Sequence, residues 1–499
     1  MVSNIFLGLS NLFASLDNFI FINLGLALGI VFGAIPGLSA TMGVALLLPI
    51  TFGMEPVSGI LLLLGIYCGG CYGGSISAIL IKTPGTPAAA ATVLDGYPLT
   101  QQGHAGKALQ MAVIASTFGG IISTIMLLFL APAIAKFAIK FGPAEFFALS
   151  LFGLSIIANV SGKSLFKGII AGCIGMFFGM VGLDPIEIVP RLTFGSLQLA
   201  AGINIVPALI GLFAVSEILN KIHSGEFQNK AKLDFIKEKV TWSETKASLG
   251  TFIKSGIIGT FIGAVPGTGA ATASFISYNE AKRVSKTPEV FGTGCLDGIA
   301  AAESGNNGVT GATLIPLLTL GIPGDTVTAI MLGALTMQGL TPGPNLFQNQ
   351  AAIVYTIIIG LFFVNIFMFI QASVFIKGFV NITRIPTNFL LPILIVLCYI
   401  GGFSIKNSVF DCYLIMAFAL LGYIIGKMKL PVTPMLLGII LEPIAENGMR
   451  QAMIMSGGSI SIFFTRPISC VFIIITVCSV AFTIYKEYFR KDKGSSKVG

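Results

Sequence analysis

The chain has 499 residues, of which 55% are hydrophobic and only 10% are charged. A soluble domain carries about 25% charged residues, so this composition excludes a soluble protein. Apolar runs of the roughly 20 residues that a transmembrane helix needs recur from end to end, whereas a transmembrane β-barrel would show short alternating strands. The net charge of +8 falls mainly between these runs, where the positive-inside rule explains it better than nucleic-acid binding does. The sequence therefore predicts an all-α polytopic membrane protein with about 11–14 membrane segments, some of them broken or re-entrant.

The N-terminal part is unusual in its charge, because the first 81 residues contain no Lys or Arg. A secretory signal peptide needs a positively charged start, so none is expected here. The lack of positive charge also favours an external N-terminus.

Pro-Gly pairs interrupt four apolar segments. GAIPGLSAT at 33–41 has a second copy, GAVPGTGAATAS at 263–274. A further pair follows in the same order, GGSISAILIKTPG at 73–85 and GATLIPLLTLGIPG at 311–324. Two ordered matches predict two repeats, in the inverted arrangement common among secondary transporters.

A basic stretch beginning KIHSGEFQNKAK separates the two copies, and we interpret it as a cytoplasmic connector. The basic tail YKEYFRKDKGSSKVG is a second cytoplasmic marker. The predicted organisation is an N-terminal membrane repeat at 1–220, the connector at 221–250, a C-terminal membrane repeat at 251–465, and an extra transmembrane helix with the basic tail at 466–499.

The breaks themselves suggest a binding site. Pro removes a backbone donor and Gly lets the chain turn, and the freed peptide groups must be satisfied by protein, ion or solvent. Half-helix N-termini can hold an anion, and exposed carbonyls can hold Na⁺. The alternative is a simple Pro kink whose Ser and Thr side chains bond back to the helix. The predicted substrate-binding residues are Gly37, Ser39, Thr41, Lys82, Thr83, Gly85, Thr86, Gly267, Thr268, Asn306, Gly324 and Thr326.

A cation site is predicted at the second pair of breaks, because amide, hydroxyl and carboxylate oxygens suit Na⁺. Its predicted ligands are Asn306, Asn307, Thr272 and Asp325. The alternative for the Asn pair is a polar loop at the membrane interface, and the alternative for Asp325 is a helix cap. Lys82 ends an apolar run, so it either pairs with a carboxylate substrate or extends to the interface.

Other polar residues carry less signal. We interpret the CxxC of Cys68 and Cys71 as tight helix packing rather than a redox or metal pair. Asp95, His104 and Lys107 are predicted to lie at the surface of a polar loop. Catalytic and nucleotide-binding motifs such as HExxH, GxSxG and Walker A are absent from the sequence, which predicts no enzyme, no cofactor and an ion gradient, Na⁺ or H⁺, as the driving force.

Three long motifs resemble the large membrane subunit of the tripartite tricarboxylate transporters, the TctA family. They are GIYCGGCYGGSISAILIKTPGTPAAAATVLDGYPLTQQGHAGKAL, GAVPGTGAATASFISYNEAKRVSKTPEVFGTG and NNGVTGATLIPLLTLGIPGDTVTAIMLGALTMQGLTPGP. The resemblance covers about residues 15–460. The family motifs carry over to Pro36-Gly37, Pro84-Gly85, Pro266-Gly267, Pro323-Gly324 and the pair Asn306 and Asn307.

The resemblance implies a multi-pass permease of the bacterial cytoplasmic membrane that imports carboxylates, tricarboxylates such as citrate or dicarboxylates. It implies two partners, a small TctB-like membrane subunit and a periplasmic TctC-like substrate-binding protein, together with Na⁺ or H⁺ coupling. Two departures leave the substrate open: Lys82 stands where the family pattern has Asn, and AAESG at 301–305 replaces a PEAA-like run. A passive anion channel and a non-transporting integral membrane protein are the alternatives, and homo-oligomerisation is left open.

Overall fold

The computed structural model describes residues 2–160, 165–184, 186–224, 238–382 and 387–488. The predicted all-α architecture is confirmed: within these residues the only strands form one two-residue antiparallel pair, β1 (Gly182–Leu183) and β2 (Pro190–Arg191).

The first half of the chain contains eleven α-helices in the described residues. They are α1 (Val2–Ala14), α2 (Leu16–Ala34), α3 (Ala40–Leu47), α4 (Pro56–Ile81), α5 (Val93–Gln101), α6 (Ala105–Ala138), α7 (Pro143–Val160), α8 (Leu165–Gly179), α9 (Leu197–Ala200), α10 (Ile205–Leu209) and α11 (Ser216–Ser224). A π-helical segment (Ile210–Val215) joins α10 to α11, and 3-10 turns occur at Leu48–Gly53 and Pro87–Ala89.

The second half begins at the described end of the connector. Its helices are α12 (Trp242–Ala247), α13 (Leu249–Ala264), α14 (Gly269–Val284), α15 (Leu296–Ala312), α16 (Leu314–Leu320), α17 (Thr326–Met337), α18 (Leu346–Asn349), α19 (Ala351–Val374), α20 (Ile376–Ile382), α21 (Thr387–Lys406), α22 (Val409–Lys427), α23 (Val432–Met455), α24 (Ile462–Thr465) and α25 (Pro467–Tyr488). A 3-10 turn lies at Pro288–Val290.

Seven helices in the described ranges are long and apolar enough to cross a membrane. They are Leu16–Ala34, Pro56–Ile81, Ala105–Ala138, Ile205–Ser224, Ala351–Val374, Val409–Lys427 and Pro467–Tyr485. A further seven apolar helices are shorter, as expected for limbs of hairpins and interrupted spans. The multi-pass membrane character predicted from composition is confirmed.

The chain divides into two compact units. Unit 1 comprises Met1–Ala135 and Phe213–Asn407, and unit 2 comprises Lys136–Leu212 and Ser408–Gly499. Both units are therefore discontinuous in sequence. The division of the chain into repeats at 1–220 and 251–465 is a different kind of boundary and stays a prediction.

In unit 1, glycine contacts hold two pairs of helices at backbone distance. A methyl group on Gly25, Gly29 or Gly33 of α2 would collide with a carbonyl oxygen of α4, at Leu62, Ile66 or Gly70 respectively. Helices α13 and α15 approach in the same way, because a methyl group on Gly259 would collide with the carbonyl of Gly305. In hydrocarbon, small residues of this kind let helices associate through close backbone packing.

Unit 2 is built around α23, which packs against α7 and α8. Its loop after α8 carries an ion network: Arg191 donates two hydrogen bonds to Glu446, at 2.7 and 2.9 Å, and Arg450 Nη1 lies 2.9 Å from Asp184 Oδ2. Backbone N–H groups of Glu187 and Ile186, and then the two arginines, lower the pKa of the Asp184 carboxyl below its ordinary value. The network fixes this loop onto α23.

Candidate substrate site

The four Pro-Gly pairs singled out in the sequence all interrupt helices. The first break (35–39) separates α2 from α3, and the second break (82–86) separates α4 from the 3-10 turn Pro87–Ala89. The third break (265–268) separates α13 from α14, and the fourth break (321–325) separates α16 from α17. The predicted broken helices are thereby confirmed.

The first break forms the tip of a helical hairpin. Gly33, at the end of α2, packs on Gly70, which lies near the middle of the 26-residue α4. The chain turns after Pro36 and returns as α3, whose N-cap Ser39 accepts a hydrogen bond from Met42 N at 3.1 Å. Because α2 and α4 run parallel, the tip lies beside the interior of α4 rather than beside either of its ends.

The second break folds back onto the first. After α4 ends at Ile81, Gly85 N donates to the carbonyl of Gly74 at 3.2 Å. A methyl group on Gly85 would collide with the carbonyl oxygen of Gly33. The two breaks of the first half are therefore in direct backbone contact.

The second half shows matching contacts. Gly267 N in the third break donates to the carbonyl of Gly324 in the fourth break at 2.6 Å. Gly324 packs against Thr313, as Gly85 packs against Gly74. These contacts agree with a repeat of the first half, although the repeat itself stays a prediction.

One side chain of α4, Tyr67, reaches the fourth break. Tyr67 OH on α4 donates to Asp325 Oδ2 at 2.6 Å and lies 3.4 Å from Thr313 Oγ1. One residue further along α4, the Cys68 thiol shares a hydrogen bond with Thr310, one turn earlier on α15. As the residue number rises along α4, its partner's number falls along α15, so the two helices pack antiparallel. All four breaks belong to unit 1.

Helix α15 carries a fully buried polar face. Asn306 and Asn307 are both 0% exposed and lie within α15. The alternative that they belong to a polar loop at the membrane interface is therefore wrong. Within the described part of the chain, neither amide atom of Asn306 has a hydrogen-bond partner, and Oδ1 of Asn307 also has none. Thr86 Oγ1, in the second break, is buried and unpartnered in the same way. Each such group costs about 1–3 kcal/mol when left unsatisfied, so this cluster is a candidate ligand site.

Glu303 lies one turn before the Asn pair and is also fully buried. Its carboxylate accepts hydrogen bonds from the hydroxyl groups of Thr92 and, at 3.0 Å, Ser116. No Lys, Arg or His in the described ranges forms an ion pair with it. Asn307 Nδ2 donates to the backbone carbonyl of Glu303 at 3.2 Å.

Comparison with known proteins identifies the family. The profile described as "Tripartite tricarboxylate transporter TctA family" matches residues 19–437. The chain belongs to the TctA family. This confirms the resemblance inferred from the motifs.

Two relatives of the chain come from Agrobacterium vitis. The chain is 36% identical over 494 residues to an "Uncharacterized 52.8 kDa protein in TAR-I ttuC' 3'region", covering 99% of this chain and 98% of the relative. It is 39% identical over 211 residues to an "Uncharacterized protein in TAR-II ttuC' 3'region", covering 42% of this chain and 87% of the relative. No solved structure matches the chain.

Several predicted ligands of this TctA chain make contacts within the protein. Asp325 caps α17, since its carboxylate accepts hydrogen bonds from Thr328 N and from Tyr67 OH. Thr268 donates to the carbonyls of Ile262 and Val265, as expected for a hydroxyl that bonds back to its helix. Thr326 follows Asp325 in the first turn of α17 and is half-buried.

Three other predicted ligands lie away from the buried cluster. Lys82 and Thr83 are exposed, and Thr272 is exposed on α14. Lys82 has a left-handed backbone, with φ of 59°, and its ammonium lies 5.7 Å from the ring centre of Tyr97. The structure thus joins Gly267 to Gly324 and buries Gly85, Thr86 and the Asn pair, whereas these three are exposed.

The first break has partners that the sequence did not identify. Lys221 Nζ on α11 donates to the carbonyl of Pro36 at 2.9 Å, and Ser39 Oγ donates to Glu217 Oε2 at 3.1 Å. Gly37 lies directly beneath the Lys221 side chain. Thr41 is half-buried in the first turn of α3. We assigned Lys221 to the connector because of its charge, and no local signal linked it to a segment 185 residues away.

Asp95 was predicted to lie at the surface, and that prediction is wrong. The residue is 0% exposed and accepts hydrogen bonds from Tyr278 OH at 2.8 Å and from the backbone of Gly292, Gly294 and Cys295. Three converging N–H groups replace its hydration, which is why a carboxylate can be buried there. It holds the loop before α15 against α5.

His104 is exposed as predicted, whereas Lys107 is half-buried. His104 contacts Glu238 at 2.8 Å, and Lys107 pairs with Glu244 at 2.5 Å. Cys68 and Cys71 are buried in α4 and are not joined in a disulfide.

Proposed function

We propose that this chain is the permease subunit of a tripartite carboxylate uptake system and works as a secondary active transporter. Membership of the TctA family supports the assignment to tricarboxylate transport. The observation that carries the proposal for the site is the fully buried Asn306 on α15, whose amide atoms have no hydrogen-bond partner among the described residues. An isolated polar amide at this depth is costly unless a ligand completes it.

The substrate carboxylate is proposed to bind between Asn306 and Thr86. The second and fourth breaks are 239 residues apart, since 323 − 84 = 239 for their Pro residues. With the same offset, Tyr67 corresponds to Asn306 (67 + 239 = 306) and Thr86 to Asp325 (86 + 239 = 325). By this correspondence, the counterpart of the Tyr67–Asp325 hydrogen bond would join Asn306 and Thr86, both of which carry buried polar atoms without a partner among the described residues.

This arrangement suits a carboxylate chemically. Asn306 Nδ2 and the Thr86 hydroxyl can each donate to a carboxylate oxygen, and hydrogen bonds to a charged group are the strong ones. The amide oxygens of Asn306 and Asn307 remain available to a coupling cation. Substrate and cation would then neutralise each other within the buried site, which lowers the cost of transferring either.

The family assignment also supports the proposed partners and location. We infer a small TctB-like membrane subunit, a periplasmic TctC-like binding protein that delivers the substrate, and the bacterial cytoplasmic membrane as the site of action. The driving force is a Na⁺ or H⁺ gradient.

The test is uptake of labelled tricarboxylates and dicarboxylates into proteoliposomes that contain the reconstituted complex and its binding protein. We expect accumulation above equilibrium that collapses when ionophores remove the gradient. Asn306→Ala should lower uptake about 10- to 100-fold, the effect of losing one hydrogen bond to a charged group. Asn279→Ala, at an exposed position on α14, is the matched control and should transport normally.

Two results would overturn the proposal. Uptake that never exceeds equilibrium under any gradient would indicate a passive channel. Normal uptake by Asn306→Ala would remove this residue from the substrate site.

A further inference from the structure

Two charged side chains of a distant helix, Lys221 and Glu217 of α11, contact the first break. Lys221 Nζ donates to the Pro36 carbonyl at 2.9 Å. One turn earlier on α11, Glu217 accepts a hydrogen bond from Ser39 Oγ at 3.1 Å and interacts electrostatically with Lys221. The Lys221 ammonium thus contacts the Pro36 carbonyl, while the Ser39 hydroxyl and the Glu217 carboxylate, which bond to each other, belong to the same local cluster.

These three oxygens are the kind of ligands that bind an alkali cation. Unwound backbone carbonyls in broken membrane helices are the groups that coordinate Na⁺ in secondary transporters. Hydroxyl and carboxylate oxygens are equally suited to hard cations. The Lys ammonium supplies the same single positive charge, together with three hydrogen-bond donors.

The backbone of the first break is adapted to this side chain. Gly37 has φ of +79°, and any side chain there would occupy the space of Lys221 Cε and Nζ. The fit of the lysine therefore depends on glycine at this position. Such a fit is not expected of a lysine that merely points to solvent.

The third break has the same Pro-Gly sequence, but among the described residues no Lys or Arg side chain hydrogen-bonds to it. Its described contacts are the hydrogen bond from Gly267 N to Gly324 and those from Thr268 to Ile262 and Val265, all of them neutral. The unpartnered amide oxygens of Asn306 and Asn307 belong to this second half.

We propose that Lys221 is a resident cation that fills, at the first break, the position of a coupling ion. A mobile cation then binds at the second pair of breaks only, so the chain takes up no more than one inorganic cation per cycle through these sites. The transport stoichiometry rests on the proposed function, whereas the binding of cations can be measured without transport.

The decisive experiment removes the ammonium and supplies Na⁺. In Lys221→Ala, the Pro36 carbonyl, the Ser39 hydroxyl and the Glu217 carboxylate remain as an empty oxygen site. We expect the purified full-length variant to gain a rise of several degrees in unfolding temperature when choline chloride is replaced by NaCl, beyond any rise in the wild type, because the ion binds the folded state. The double variant Lys221→Ala/Glu217→Gln should lose this gain, and Lys221→Arg should never show it. An identical response to NaCl in Lys221→Ala and the wild type would overturn the proposal.

A second measurement keeps the proposal testable even where Lys221→Ala does not fold. Equilibrium binding of ²²Na⁺ to the purified wild-type chain should saturate at no more than one ion. Two saturable ions per chain would overturn the proposal. Both measurements report on cation binding and do not require the complex to transport a carboxylate. A failure of the proposed transport function can therefore be distinguished from a failure of the proposal for Lys221.

Discussion

The first and third breaks share the sequence Gly-Ala-aliphatic-Pro-Gly but are satisfied in different ways. At the first, charged side chains of α11 reach the Pro36 carbonyl and Ser39. At the third, a neutral backbone bond to Gly324 closes the turn, while the amide of Asn306 nearby on α15 is left without a partner. The comparison teaches that two breaks of the same sequence can be satisfied by different partners, charged side chains at one and a backbone bond at the other. Two similar breaks can therefore contribute unequally to binding an ion.

The largest expected effect comes from closing the space between two breaks. Gly85→Ala places a methyl group against the Gly33 carbonyl, and backbone atoms cannot yield as a side chain can. We expect a loss of about 3 kcal/mol or more in stability, measured as folded protein that survives heating before size-exclusion chromatography.

The equivalent change in the second half sharpens the comparison. Gly324→Ala meets side-chain as well as backbone atoms of Thr313, so its loss should be smaller than that of Gly85→Ala. Gly250→Ala, on α13 with open space around the added methyl group, is the control and should leave stability intact. Equal losses in all three variants would contradict the importance of the close contacts.

A smaller effect on stability is expected from the ion pair of Lys107 and Glu244, which lies outside the membrane segments. It serves as a reference for the charged side chains at the first break. Hydrogen bonds from Lys107 and from Thr241 N lower the pKa of the Glu244 carboxyl from 4.5 to about 2. Because the folded-state pKa is the lower one, the stabilisation is complete above pH 4.5 and is lost as the pH falls towards 2.

Glu244→Gln should therefore lower the unfolding temperature at pH 7 by the equivalent of less than about 1 kcal/mol, since the pair is partly exposed. The difference from the wild type should shrink as the pH is lowered from 4.5 to 3. A difference that stays constant over this range would show that packing rather than charge is responsible.

The smallest effect is expected at Lys82. Its side chain is exposed and lies over the ring of Tyr97, away from the buried amides. Lys82→Asn should therefore leave the rate and selectivity of carboxylate uptake unchanged in the proteoliposome assay. A change in substrate preference would instead support a direct contact between this ammonium and the substrate. That contact is one of the two alternatives that the sequence left open for Lys82.

The sequence could predict the breaks but not their partners. Pro36 and Gly37 together predict an interruption of the helix, because one lacks a donor and the other tolerates positive φ. Asn306 could be selected as polar in a small-residue stretch, yet only its burial in α15 shows that both amide atoms lack partners. Asp95 was misplaced because the three N–H groups that hold it come from residues almost 200 positions later.

By itself, the sequence determined that this is a membrane protein, that it is helical, where its four helix breaks lie and to which family it belongs. The first three follow from composition or short-range conformational preference, whereas the family follows from the resemblance of long motifs. The tertiary structure decided which breaks meet, which carbonyl receives Lys221, and which buried amides stay open. Those outcomes depend on close backbone packing between glycines of separate helices, such as Gly33 with Gly70 and Gly85, and on charges far apart in the chain. A local pattern contains no information on such long-range contacts, because any residue of the right size and charge could have supplied them.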